Sequence, residues 1–155
     1  MADVIKYIEI IQQAAALIKK ECNCKVYADE VLENFNKPCF FIKLASINSP
    51  QTVNFTEKTV TLVLTYFPAD DMRDELHYMD IFDRVERLFQ HGLQLSQRFL
   101  HTSSIDADRV GEERDILQIT VDFEYLDRVI IHKPAVEMME ELEMQIKVNE
   151  REVLQ

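Results

Sequence analysis

An α+β fold is what this sequence predicts: a mixed or mainly antiparallel sheet of about four strands, covered by an N-terminal and a central helix, with an additional C-terminal helix or strand. Three observations carry that expectation. Residues 58–67 alternate Val60, Leu62, Leu64 and Tyr66 with Thr59, Thr61 and Thr65, a pleat with one apolar face. Residues 115–126 do the same, with Leu117, Ile119, Val121, Phe123 and Tyr125 on one side and Gln118, Thr120, Asp122 and Glu124 on the other. Between them, Tyr78, Phe82, Val85 and Phe89 recur at spacings of three and four, the stripe of an amphipathic helix.

The remaining elements follow in chain order. Val4, Ile8, Ile11, Ala15 and Ile18 outline an N-terminal helix, with Asp3 as its cap and Lys19 and Lys20 near its C-terminal end. Residues 22–26 end that helix and offer the start of a short strand; residues 29–35 suit one or two helical turns, and 36–38 punctuate the chain. Residues 39–44 are apolar on both alternating faces and read as a buried strand. A hairpin-like return makes it the antiparallel neighbour of 58–67, across a polar connection at 45–56.

Pro68 stops the strand at 58–67, and Asp70 or Asp71 caps the helix over 70–90, whose first turn is acidic. His91 and Gly92 stop it, the glycine in a left-handed conformation. Residues 93–100 alternate weakly as a strand; 101–113 are polar, a second projecting loop. After 129–134, Val136, Met139, Leu142, Ile146 and Val153 form a further helical stripe amid Glu137, Glu140, Glu141 and Glu143, while 144–148 also alternate as a terminal strand would. The whole chain, 1–155, reads as one domain, with 133–155 as an assembly-dependent tail.

Composition narrows the function classes. Two glycines in 155 residues argue against a glycine-lined nucleotide loop, and a formal charge of −11 disfavours a broad nucleic-acid-binding surface. Three cysteines set no disulfide framework and point to a reducing compartment. No signal peptide is read after Met1, and no apolar run reaches the length of a bilayer span, so a soluble protein made in the cytoplasm is expected.

Reactive constellations are sparse. Cys22, Cys24 and Cys39 with His77 or His91 are donors for zinc, but the spacing of the first two is not that of a zinc knuckle. Asp122 and Glu124 share a strand face and have the chemistry to hold a divalent cation or divide acid and base roles; His77 and Asp80 are spaced as an acid–base pair on a helix. Against these stand plainer roles as free thiols, a solvated sheet face and a helix surface. Tyr27 and the run Tyr66, Phe67, Pro68 read as core or boundary aromatics. No catalytic, cofactor or metal residue is assigned, and an enzyme is not expected.

The opening helix, V-Y-A-D-E-V-L-E-N-F-N-K-P-C-F-F-I-K-L at 26–44, T-V-T-L-V-L-T-Y-F-P at 59–68, the acidic central helix and D-I-L-Q-I-T-V-D-F-E-Y at 115–125 together resemble the small tail terminator family of phages and prophages in low-GC Gram-positive bacteria. The resemblance spans roughly residues 4–144 and rests on element order rather than a catalytic signature. It implies a structural protein forming a ring, typically a homohexamer, on the last tail-tube ring. Such a ring stops tube growth, helps end the sheath in contractile tails and presents a surface to the head–tail connector. It implies location in a virion tail or tail-like particle assembled in the bacterial cytoplasm, no cofactor, and DNA passing through without specific binding. Residues 45–57 and 101–113 then project toward neighbours. Two other classes remain open: a cytoplasmic adaptor binding one protein partner, and a metal-assisted hydrolase using Asp122 and Glu124.

Overall fold

The computed structural model describes residues 4–28 and 36–129. Helix α1 (Tyr7–Cys22) leads into strand β1 (Lys25–Tyr27), and the hairpin β2 (Cys39–Pro50) and β3 (Phe55–Phe67) follows. Helix α2 (Glu75–Phe89), the short β4 (Gly92–Gln94), β5 (Phe99–Val110) and β6 (Ile116–Arg128) complete the fold. The architecture is α+β: one six-stranded sheet in the order β1-β2-β3-β6-β5-β4, with both helices packed on one face. Only β1 and β2 run parallel; every other neighbouring pair is antiparallel.

The sheet has six strands rather than about four because the strand expected at 93–100 is split into β4 and the start of β5, and because β1 joins the opposite edge. The antiparallel pairing of β2 with β3 continues past its expected limits, so residues 45–50 and 55–56, expected in a polar connection, are strand and only 51–54 turn the chain. Residues 101–110, expected in a projecting loop, form most of β5, which pairs with β6 from Thr102 to Val110. Their polarity reflects an open sheet face, not a lack of structure: Ile105 and Ala107 still pack on the core between exposed Ser104, Asp106 and Asp108. The short strand offered after α1 does form, as β1, parallel to the start of β2.

The core lies between the helices and the even-numbered face of β3. Val60, Leu62, Leu64 and Tyr66 meet Leu117, Ile119, Val121, Phe123 and Tyr125 from β6, all buried. Full burial of each aliphatic chain contributes about 2 kcal/mol. From α2 come Tyr78, Ile81, Val85 and Phe89, with Phe82 half-buried beside them. The stripe of α1 is displaced from expectation: Ile10, Ala14 and Ile18 are buried together with Ile5, whereas Ile8 is 62% exposed. Ile11 and Ala15 flank the buried line. A helix so rich in isoleucine and alanine offers two overlapping stripes, and the sheet selects the one that fits.

The helix ends also differ. Asp74, not Asp70 or Asp71, caps α2, its carboxylate accepting the His77 N–H at 2.7 Å. Gln90 ends the helix in a right-handed conformation, and Gly92 opens β4 at φ +152°. A Cβ at Gly92 would run into the Leu100 carbonyl and the Phe99 ring, so glycine serves strand approach there rather than a helix stop. Lys6 stands at the N-cap of α1 without a side-chain bond. Asp3, the turns expected at 29–35 and the helix or strand expected beyond residue 129 lie outside the described residues.

A buried carboxylate ties the chain start to the sheet. Asp127 accepts the Ile5 N–H at 3.0 Å, and its two oxygens lie 3.8 Å from Lys58 Nζ and 3.6 Å from Arg98. Lys58 also covers the Tyr7 ring, and Arg98 the Tyr125 ring. Replacing Asp127 by Ala strands an amide and two cations, so Asp127→Ala is expected to lower unfolding stability by about 3 kcal/mol. Urea denaturation of both proteins measures it; a change below about 0.5 kcal/mol contradicts the clamp.

Candidate functional site

Asp122 and Glu124 do project from one face of β6, as their spacing requires, but Asp122 is already engaged. Its Oδ1 accepts the Thr61 hydroxyl at 2.6 Å and its Oδ2 the Ser104 hydroxyl at 2.8 Å, while Ser103 donates to its carbonyl at 3.0 Å. The carboxylate therefore stitches β3, β6 and β5 together. Glu124 stands opposite Thr59 and is exposed.

The other candidate pairs come apart. His77 Nε2 lies 2.7 Å from the Tyr66 hydroxyl, and Asp80 pairs with Arg84 at 3.2 Å one turn along. The three thiols are free, Cys22 and Cys24 half-buried and Cys39 buried. Among the described residues, no group of three or more His, Cys, Asp or Glu side chains is arranged to hold a metal ion. Burial pushes the Cys22 thiol up to about 11 and Cys24 to about 12, the reverse of what an activated nucleophile needs. Burial likewise raises Tyr66 and Tyr125 above the ordinary tyrosine value. Tyr66 packs on Phe40 at 4.9 Å, and Tyr27 and Phe67 flank Phe41, each at 5.3 Å, as expected of boundary aromatics.

What the fold does expose are surfaces suited to protein contact. Among the described residues, the sheet face away from the helices is open and bears Lys43, Ala45, Ile47 and Ser49 on β2 and Glu57, Thr59, Thr61, Val63 and Thr65 on β3. Gln118, Thr120, Asp122, Glu124 and Arg128 continue it on β6, and Ser104, Asp106 and Asp108 on β5. Its carboxylates, Glu57, Asp106, Asp108, Asp122 and Glu124, outnumber Lys43 and Arg128, so the face is acidic. At its hairpin end, Ile47, Val53, Phe55, Leu126 and Val129 leave large apolar groups exposed, Val53 at 84%. The opposite end carries Met72, Leu76 and Met79 at the start of α2, Leu76 at 82%. Ile47, Val53 and Phe55 fall within residues 45–57, which the family resemblance implied would project toward neighbours, whereas the end at α2 was not singled out from sequence, because exposure of an apolar residue is decided by what the fold leaves uncovered.

A family model described as phage tail terminator protein matches residues 9–137. The chain belongs to this family. It is a family of structural tail proteins, and a tail terminator has no need of the donor clusters sought above. A chain of a solved structure, titled as the virion of a native gene transfer agent particle, is similar in fold. The TM-score is 0.50 at 16% identity, over 79% of this chain and 93% of that one. No curated protein matches. Among the described residues, no helix of this terminator is long and apolar enough to cross a membrane.

The withdrawn thiols set a pH dependence. Below pH 9, the ordinary thiol value, folded and unfolded chains both hold these protons; above it the unfolded chain ionises first, and stability falls until the folded thiols ionise near 11 and 12. Thermal melts from pH 8 upward are expected to show Tm declining beyond pH 9. Cys22→Ser combined with Cys24→Ser is expected to make that decline shallower, and an unchanged slope would count against buried neutral thiols as its source.

Proposed function

We propose that this chain is the subunit of a closed ring, a homohexamer, seated on the last ring of a tail tube in a phage or tail-like particle of a Gram-positive host. There it ends polymerisation of the tube, meets the end of the sheath in a contractile tail, and offers its far side to the head–tail connector. The observation that carries the reading is family membership across residues 9–137, joined to a fold whose functional features are surfaces rather than a reactive centre.

The surface chemistry supports it. A ring needs a heterologous interface, in which two different patches of each copy meet and the rotation closes. The two ends of this subunit differ, one apolar around Val53 and Phe55, the other mixing Met72 and Leu76 with Asp70, Asp71, Asp74 and Glu75. Two unlike ends suit a ring that binds a tube on one side and a connector on the other. The acidic open face suits a lumen, since like charge repels a DNA backbone in transit. Residues 133–155 act as the assembly-dependent tail, and assembly takes place in the host cytoplasm. An adaptor binding one unrelated peptide as a monomer would need none of these paired features.

Electron microscopy of the protein mixed with polymerising tail-tube protein from the same gene neighbourhood tests the reading. A small ring at one tube end, with blocked growth, is the expected result; unaltered polymerisation with bare ends would reject it. Aspartate at Val53 and Leu126 together is expected to leave rings intact but reduce the occupancy of tube ends by about tenfold or more, as loss of apolar anchors does at other interfaces. Full occupancy by that double variant would move the tube-binding surface elsewhere.

A further inference from the structure

Both outer strands of this sheet are short, and they leave most of the long strands beside them uncovered. β1 pairs with β2 only at Cys39, Phe40 and Phe41, and β4 pairs with β5 only at Phe99, Leu100 and His101. Thr102 donates its N–H to the His91 carbonyl, so the covered part of β5 ends there. Residues 42–50 of β2 and 104–110 of β5 thus have no strand on their outer side among the described residues. Bare edges of this length are templates for another strand.

The two edges are complementary in direction. β2 opposes β3, β3 opposes β6 and β6 opposes β5, so β2 and β5 run in opposite senses. Rotation about an axis lying along the strands brings β5 of one copy beside β2 of the next without reversing either. The pair is antiparallel, the more stable ladder. Because the edges lie on opposite sides of the sheet, each copy uses both, and the pairing propagates in one rotational sense.

Side-chain alternation selects the register. Lys43, Ala45, Ile47 and Ser49 lie on the open face of β2, and Ser104, Asp106, Asp108 and Val110 on that of β5, while Leu44 and Ile105 face the core. A continuous sheet must match face to face, which forbids every odd slip. The longest matched register puts Lys43 opposite Val110, Ala45 opposite Asp108, Ile47 opposite Asp106 and Ser49 opposite Ser104. A two-residue slip one way calls on Phe41 and Thr102, already occupied by β1 and His91; the other way shortens the ladder. The chosen register also sets Lys43 diagonally beside Asp108, an attractive cross-strand pair.

That register carries its own stagger. Ile47 lies level with Thr59, whereas Asp106 lies level with Thr120 and so with Val63, four residues higher. A rise of four residues at ~3.3 Å across four strands at ~4.8 Å tilts the strands by about 35°, within the range of closed barrels. The tilt is independent of the number of copies, so it restricts how the sheet closes without fixing how many subunits close it.

We propose that neighbouring copies join through this ladder, residues 104–110 of one pairing with 43–49 of the next. The sheet closes on itself with the acidic face inward and α1 and α2 outward, where a wider circumference accommodates the helices. The inference rests on the ring reading above and specifies its interface.

Ile47→Cys and Asp106→Cys in one full-length chain test it, both sites being exposed. A short bis-maleimide applied to assembled rings, free or on tube ends, is expected to yield a covalent ladder rising to the full ring. Each single variant should give no ladder, and the parent chain, whose thiols are buried or half-buried, should stay monomeric on a denaturing gel. The mismatched pair Ile47→Cys with Leu100→Cys, whose second site lies under β4, should likewise give none. Rings visible by microscopy that do not cross-link through residues 47 and 106 overturn the ladder and leave the ring standing. Absence of rings both in solution and on tubes rejects the ring reading and this interface with it.

Discussion

The β3–β6 ladder is the constraint on which the rest of the structure depends. It is the central pair of the sheet, in register from Phe55 opposite Arg128 to Tyr66 opposite Leu117. Because a strand alternates sides at every residue, this one register decides which side chains meet the helices and which remain outside. Val60, Leu62 and Leu64 could not face α1 and α2 without Thr59, Thr61 and Val63 facing away. The hydrophobic core and the hydrophilic, acidic face are therefore two sides of one pairing decision.

The carboxylates show how a polar sheet face differs from an active site. Asp122 sits where a metal ligand or general base was considered, but its oxygens are spent on Thr61 and Ser104, hydroxyls from the two adjacent strands. Buried Asp127 works in the same way on the opposite face, holding the chain start and two cations. Both charges add positional specificity to an antiparallel sheet. The acidity that remains, on Glu57, Asp106, Asp108 and Glu124, is a property of the surface as a whole.

Some of this was legible in the residues. The clean alternation of β3 and β6, the hairpin partnership of β2 and β3, and the stripe of α2 all follow from periodicities that one buried face imposes. The runs at 45–56 and 101–113 misled because an open face and a bare edge are polar for the same reason that loops are: both touch water. Within β5 the residual signal is Ile105 and Ala107 two apart, weak because residues on its other face are Ser, Asp and Asp. The displaced stripe of α1 and the transfer of capping to Asp74 have a simpler cause. Several residues there satisfy the local rule equally, and packing chooses among them.

By itself the sequence determined an α+β fold, a mixed or mainly antiparallel sheet covered by an N-terminal and a central helix, and the tail terminator resemblance, which implied a structural role. Those properties are written in local periodicity and in the order of elements along the chain. Among the described residues, only the tertiary structure decided the number of strands, the brevity of β1 and β4, the two bare edges and the apolar residues left exposed at each end. These depend on which strand lies beside which and where a neighbour stops. Strand neighbours here are brought together by pairing over long separations, and no local pattern records where that pairing ends.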